Sequence, residues 1–198
     1  GKIERQNDRI VVLPVHEVSG NAELAEGNID FRGDIVIHGN VESGVNIRAT
    51  GSITIDGVAE ACMLEAGKDI ILRGGMLGGN KASVKTKGAI TAKFFEFTNI
   101  LCEGDLQADV LMDCSVICHG QIRLTGRKGS IIGGKVQAIR GLIATSLGND
   151  AEKRTEIFVG AGIDVYSRLR VMEKKIETTR EELAKIEEGL EKFEILSK

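Results

Sequence analysis

A nine-residue unit, apolar-x-small-x-Gly-x-apolar-x-apolar, recurs along residues 29–144 with the period-two alternation of a β-strand. The copies read IDFRGDIVI from Ile29, IRATGSITI from Ile47, LEAGKDIIL from Leu64, VKTKGAITA from Val84, ILCEGDLQA from Ile100 and VICHGQIRL from Val116. A seventh, VQAIRGLIA from Val136, has its Gly displaced. Successive starts lie 18, 17, 20, 16, 16 and 20 residues apart, so the chain returns to an equivalent position every 16 to 20 residues. A return of that length is one coil of a β-solenoid, and it is too short for the helical repeats of ankyrin or armadillo arrays. Positions one, three, seven and nine are expected to point inward and to stack on the next coil, about 4.8 Å away, with the Gly at the bend.

The predicted fold class is therefore mainly β: a single-stranded parallel β-helix of about seven coils followed by a C-terminal α-helix of coiled-coil type. Composition agrees, since 25 Gly, no Trp and one Tyr leave only small and aliphatic side chains for a thin, regular core. The expected divisions are 1–28 for an N-terminal cap and first strands, 29–164 for the β-helix and 165–198 for the helix. The run RIVVLPVHEV, with the lone Pro14, is the natural cap. GGMLGG from Gly74 and GSIIGG from Gly129 lie about 54 residues apart and are expected to be matching bulged corners.

From Val165 the apolar spacing changes to alternate steps of four and three: Val165, Leu169, Met172, Ile176, Thr179, Leu183, Ile186, Leu190 and Phe193. This is an a/d seam of four heptads, weakened at Thr179 and Gly189, with Glu181 and Lys185, and Glu188 and Lys192, in supporting i,i+4 order. The seam Leu169, Met172, Ile176, Leu183, Ile186, Leu190 and Phe193 is the expected interface, which predicts a homo-oligomer through the helix or pairing with a returning helix. The chain lacks an initial Met and breaks off in LSK with the helical pattern still running, so a longer parent is expected.

Chemistry-bearing constellations are sparse. Cys114-x3-Cys118-His119, with His38 and His16 elsewhere, lacks the short paired spacings of a zinc site. Cys102 and Cys118 instead occupy position three of adjacent coils, an inward place that Phe31, Ala49, Ala66 and Thr86 share, and all four Cys read as free thiols. The glycine-rich stretches lack the order of a phosphate loop. Asp34, Asp69 and Asp105 share position six beside the turn, which reads as a solvated edge more than as the paired carboxylates of a glycosidase. No nucleophile elbow is present. The reading is no enzyme, no cofactor and no metal. Charge is interspersed with a net of −3, and no apolar run reaches the length of a membrane span, which predicts no nucleic-acid partner, no membrane insertion and a cytoplasmic location.

The run VHEVSGNAELAEGNIDFRGDIVIHGNV, from Val15 to Val41, resembles the bacterial flagellar assembly protein A family in its SGN, EGNIDF and GDIVI…GNV words, and GGMLGG fits as well. Glu26 stands where the family leads one to expect Thr. The resemblance covers nearly the whole chain and implies a right-handed β-helix followed by a coiled coil. It also implies a non-catalytic scaffold or interaction protein in flagellar assembly or cell-pole organisation, with flagellar or polar proteins as partners and a further N-terminal domain in many members. No catalytic residue carries over. Bactofilins and the septum-site protein MinC, related short β-helices, keep a division or cytoskeletal role as the alternative. A β-helix acyltransferase is disfavoured, because it requires strict six-residue periodicity.

Overall fold

The computed structural model describes residues 2–6, 9–126, 128–160, 172, 174–180 and 183. Two compact units are present, Gly1–Gly160 and Ala161–Lys198.

In the first unit two parallel sheets wind into one solenoid. The eight-stranded sheet stacks Val15–Val18, Asp34–Ile37, Ile53–Ile55, Ile70–Leu72, Ile90–Ala92, Leu106–Ala108, Gln121–Leu124 and Gly141–Ile143. The ten-stranded sheet begins with Ile29–Phe31, Asn46–Ala49 and Met63–Ala66 and continues in four long strands, Met76–Thr86, Phe94–Cys102, Val110–Cys118 and Ser130–Ala138. Each long strand bends midway where the backbone enters the left-handed region, at Gly79 and Asn80, at Phe97, at Asp113 and at Gly133 and Gly134. Each thus covers two sides of the coil. Ala59–Glu60 and Ser146–Leu147 pair with the first halves of long strands, and Thr155–Val159 with the second half of Ser130–Ala138.

The result is three faces. The eight-stranded sheet is the first; the starts of the long strands form the second; their ends, with the strands from Ile29 to Ala66, form the third. Eight coils are stacked where the repeat predicts about seven. The additional rung comes from the two ends of the chain, where the nine-residue unit is incomplete. Val15–Val18 already pairs in parallel with Asp34–Ile37, and Thr155–Val159 closes the last coil without the repeat's Gly. Lys2–Gln6 and Arg9–Leu13 form a separate antiparallel hairpin.

Strand alternation sends every second side chain inward, and in-register parallel pairing stacks like on like. On the first face Ile35, Ile53, Ile70, Ile90, Leu106 and Ile122 form one completely buried ladder. On the third, Ile47, Leu64, Val84, Ile100, Val116 and Val136 form another. The second face contributes Ala59, Met76, Phe95, Leu111 and Ile131, so a single aromatic, Phe95, supplies the bulk that the aliphatic coils lack.

The corner between third and first faces explains the mid-unit glycine. A Cβ on Gly104 would lie 2.6 Å from the Gly88 carbonyl oxygen, and one on Gly120 2.3 Å from that of Gly104, so the coils close to their normal spacing only without side chains there. In the copy from Leu64 the equivalent Gly67 comes one place early and packs on the Thr50 carbonyl. GGMLGG and GSIIGG do sit at equivalent places three coils apart. Each spans a strand of the second face and ends in the left-handed bend, so they are whole sides of the coil and not corners alone.

Candidate functional site

Position three of the unit faces a corner where backbone carbonyls converge, and its polar occupants use them. The Thr86 hydroxyl donates to the Lys68 carbonyl, the Cys102 thiol to that of Gly88 at 3.3 Å, and the Cys118 thiol to that of Gly104 at 3.2 Å. The two thiols stack in adjacent coils, as the repeat predicts. Cys102 holds its proton: the hydrogen bond with the Cys118 sulfur and then burial push its titration up. Burial pushes Cys62 up to about 12 and Cys114 to about 11. All four cysteines are free and buried, and among the described residues no three His, Cys, Asp or Glu side chains are placed to hold a metal. His119 and His16 are exposed, and His38 meets Asp56 at 2.9 Å on the surface.

Asp34, Asp69 and Asp105 are not a free edge. Each carboxylate accepts the backbone N–H of the coil above, from Ser52 at 2.7 Å, Ala89 at 2.7 Å and Gln121 at 2.9 Å. Asn21 and Asn40 do the same at the next corner, for Asn40 and Val58. The aspartates occupy alternate coils, Ser52, Ala89 and Gln121 standing between them, so like charges are about 9.6 Å apart instead of 4.8 Å.

The outer surfaces differ from one another. On the third face Asp30, Arg48, Glu65 and Lys85 form an ion ladder, with Arg48 at 4.0 Å from Asp30 and 3.0 Å from Glu65, and Lys85 at 3.8 Å from Glu65. Beyond it the same outward row is Leu101, Ile117, Gln137 and Phe158, with Ile117 and Phe158 exposed. On the second face Phe94, Val110 and Met112 floor a groove of about 390 Å³ rimmed by Lys93, Glu96, Asp109 and Lys128. The sequence reading missed this groove; its signal is the outward phase of the second-face strands, visible only once the inward phase is assigned.

At the last coil the inward ladders run out. Leu147 stacks on buried Ile131 and Val159 on buried Ala138, yet they are 57% and 63% exposed. A strap secures this coil from outside: Lys153 pairs with the Asp113 carboxylate two coils back and lies 5.6 Å from the Phe97 ring, while the Thr155 hydroxyl accepts the Gly133 N–H.

In the second unit, residues 174–180 are helical, a short described stretch of the predicted helix; its coiled-coil pairing lies beyond what these residues display. Of the predicted seam, Met172, Ile176 and Leu183 are described and are 62%, 54% and 52% exposed. Leu169, Ile186, Leu190 and Phe193 lie outside the described residues. No described helix is long and apolar enough to cross a membrane.

A filled interior of stacked ladders, aspartate and asparagine caps at the corners, and three outward faces define a parallel β-solenoid. The family model for the Flagellar Assembly Protein A beta solenoid domain matches residues 14–198. The chain belongs to that family. Searches of curated proteins and of solved structures find no match.

Proposed function

We propose that this chain is a non-catalytic scaffold of flagellar assembly or cell-pole organisation, working in the cytoplasm through protein partners that dock on its outer faces and through its helix seam. The observation that carries the reading is the distribution of side chains. Inward positions are consumed by packing, which leaves the large, regular outside as the place for recognition. Family membership supplies the flagellar context. The buried free thiols fit a reducing compartment, and the exposed helix seam calls for a partner helix.

A second reading, a division or cytoskeletal factor of bactofilin or MinC type, is favoured by one feature, the uncovered ladder end at Leu147 and Val159, which suits end-to-end assembly. Deleting the gene in its host and imaging cells by electron microscopy separates the two. Loss of flagella at normal cell length supports the assembly reading, and normal flagella with altered length or shape supports the alternative. Wild-type flagella and wild-type morphology together would overturn both.

A further inference from the structure

The described part of the helix leaves its apolar stripe open, with Met172, Ile176 and Leu183 each more than half exposed. In heptad terms Leu169, Ile176, Leu183 and Leu190 occupy a, and Val165, Met172, Thr179, Ile186 and Phe193 occupy d. The flanking e positions then hold Glu173, Arg180 and Glu187, and the g positions Arg168, Lys175 and Glu182. Glu173, Glu182 and Glu187 lie outside the described residues, as does Arg168, and enter here only by their place in the sequence. These flanks discriminate between the two ways in which a second copy can pair.

In a parallel, in-register pair each g residue faces the e residue five places on in the other chain. Arg168 then meets Glu173 favourably, but Lys175 meets Arg180 and Glu182 meets Glu187. Thr179 is also set against its own copy in the core. In an antiparallel pair g faces g and e faces e. With Ile176 layered on Thr179 of the other copy, Lys175 faces Glu182 and Glu173 faces Arg180, each twice by symmetry. Leu183 then layers on Met172, Leu169 on Ile186 and Leu190 on Val165, so Thr179 packs against an aliphatic residue. Sliding by one heptad in one direction brings Arg180 onto Arg180 and Glu182 onto Glu182. Sliding in the other brings Lys175 onto Lys175 and Glu173 onto Glu173. One antiparallel register is thus charge-matched throughout, and its neighbours are not.

We propose that the occupant of this seam is a second copy of the chain, paired antiparallel in the register that layers Ile176 on Thr179. The inference rests on the self-association part of the scaffold reading and adds orientation and register to it. Antiparallel pairing starts the two helices from opposite ends of the pair, about 38 Å apart for residues 165 and 190 at 1.5 Å per residue.

The test uses the full chain. Arg180→Glu converts the two Glu173–Arg180 attractions into repulsions in the antiparallel pair, and self-association is expected to weaken roughly five- to thirty-fold. In a parallel pair the same change relieves the Lys175–Arg180 clash and strengthens association, so the sign of the shift decides. Lys174→Glu, at an outward f position, is the control and is expected to change the dissociation constant by less than about two-fold. Sedimentation equilibrium over a dilution series reads both. Cysteine pairing reads orientation independently of charge: a mixture of Val165→Cys and Leu190→Cys is expected to form the mixed disulfide on mild oxidation, and Leu190→Cys alone none. A disulfide from Leu190→Cys alone, or tighter association of Arg180→Glu, overturns the orientation while leaving self-association intact. A chain monomeric at every concentration overturns the proposal together with self-association through the helix. The flagellar role is judged separately, by the deletion phenotype.

Discussion

Gly104→Ala and Gly20→Ala add the same methyl group at two corners of the solenoid, and they are expected to move stability in opposite directions. A Cβ on Gly20 meets nothing within 4 Å. Alanine there restricts the unfolded chain without straining the folded one, which stabilises by about 0.4–1 kcal/mol. At Gly104 the added carbon would lie 2.6 Å from the Gly88 carbonyl oxygen, 2.7 Å from its carbon and 2.9 Å from the Ala89 nitrogen. All three are backbone atoms of the neighbouring coil and cannot rotate away. Restoring ordinary van der Waals contact requires the coils to part by about 0.8 Å, and the Gly104 N–H to Gly88 hydrogen bond, 2.9 Å long, would then exceed hydrogen-bonding range. Gly120, whose N–H reaches the Gly104 carbonyl at 3.1 Å, is disturbed from the other side. Losing or weakening these two bonds costs about 1 kcal/mol each, and the local overpacking adds about 1–2 kcal/mol, for a loss of about 2–4 kcal/mol. Guanidinium unfolding followed by far-ultraviolet circular dichroism should show a lower midpoint for Gly104→Ala, or a new early phase as the stack separates at that rung. An unfolding curve for Gly104→Ala that superimposes on that of Gly20→Ala would refute the stacking argument.

Three further outcomes follow from the same geometry. Asp105→Ala leaves the Gln121 N–H without its carboxylate partner and should cost about 1 kcal/mol by the same unfolding assay, with Asp105→Asn keeping most of that loss at bay. Phe95→Ala empties the one aromatic place in the second-face ladder and should cost about 3–5 kcal/mol, enough to expose apolar surface that binds a dye such as anilinonaphthalene sulfonate. Burial raises Cys62 and Cys114 from an ordinary 9.0 to about 12 and about 11, so the folded state retains protons that the unfolded state releases. Their contribution is fully present below pH 9 and is lost as pH rises through 11 and 12; stability that stays level from pH 8.5 to 10.5 in the wild type would contradict it.

The inward half of the fold was legible because solenoid packing repeats one demand in every coil. Ile53, Ile70 and Ile90 recur because each stacks on the next, and the unit's Gly recurs because backbone meets backbone at the corner. The same reasoning faltered at the ends. Val15–Val18 carries no preceding corner Gly, and Thr155–Val159 follows a long polar loop, so neither displays the full unit although both complete a coil. The role of Asp34, Asp69 and Asp105 was hidden for a different reason. A carboxylate beside a turn is compatible with plain solvation, and only the register of alternate coils shows that each caps a backbone N–H one coil away.

What stayed illegible is the outside, and the cause lies in the construction itself. Outward positions are released from stacking, so they vary from coil to coil and leave no period to read. The third face illustrates the latitude: Asp30, Arg48, Glu65 and Lys85 neutralise one another along four coils, and then the same row turns to Leu101, Ile117, Gln137 and Phe158. The fold imposes neither choice. An ion ladder of this kind contributes little to stability, about 0–1 kcal/mol per exposed pair, and exposed Ile117 and Phe158 contribute less still to a core they do not enter. Surface chemistry that stability does not account for is where recognition can be written, and on this chain it is concentrated toward the C-terminal coils, on the third face and in the second-face groove floored by Phe94, Val110 and Met112. Charged substitutions there, such as Ile117→Lys, should therefore leave the unfolding midpoint within about 0.5 kcal/mol of wild type while altering whatever binding those coils support, and a large loss of stability from Ile117→Lys would place that residue in the structural half of the molecule instead.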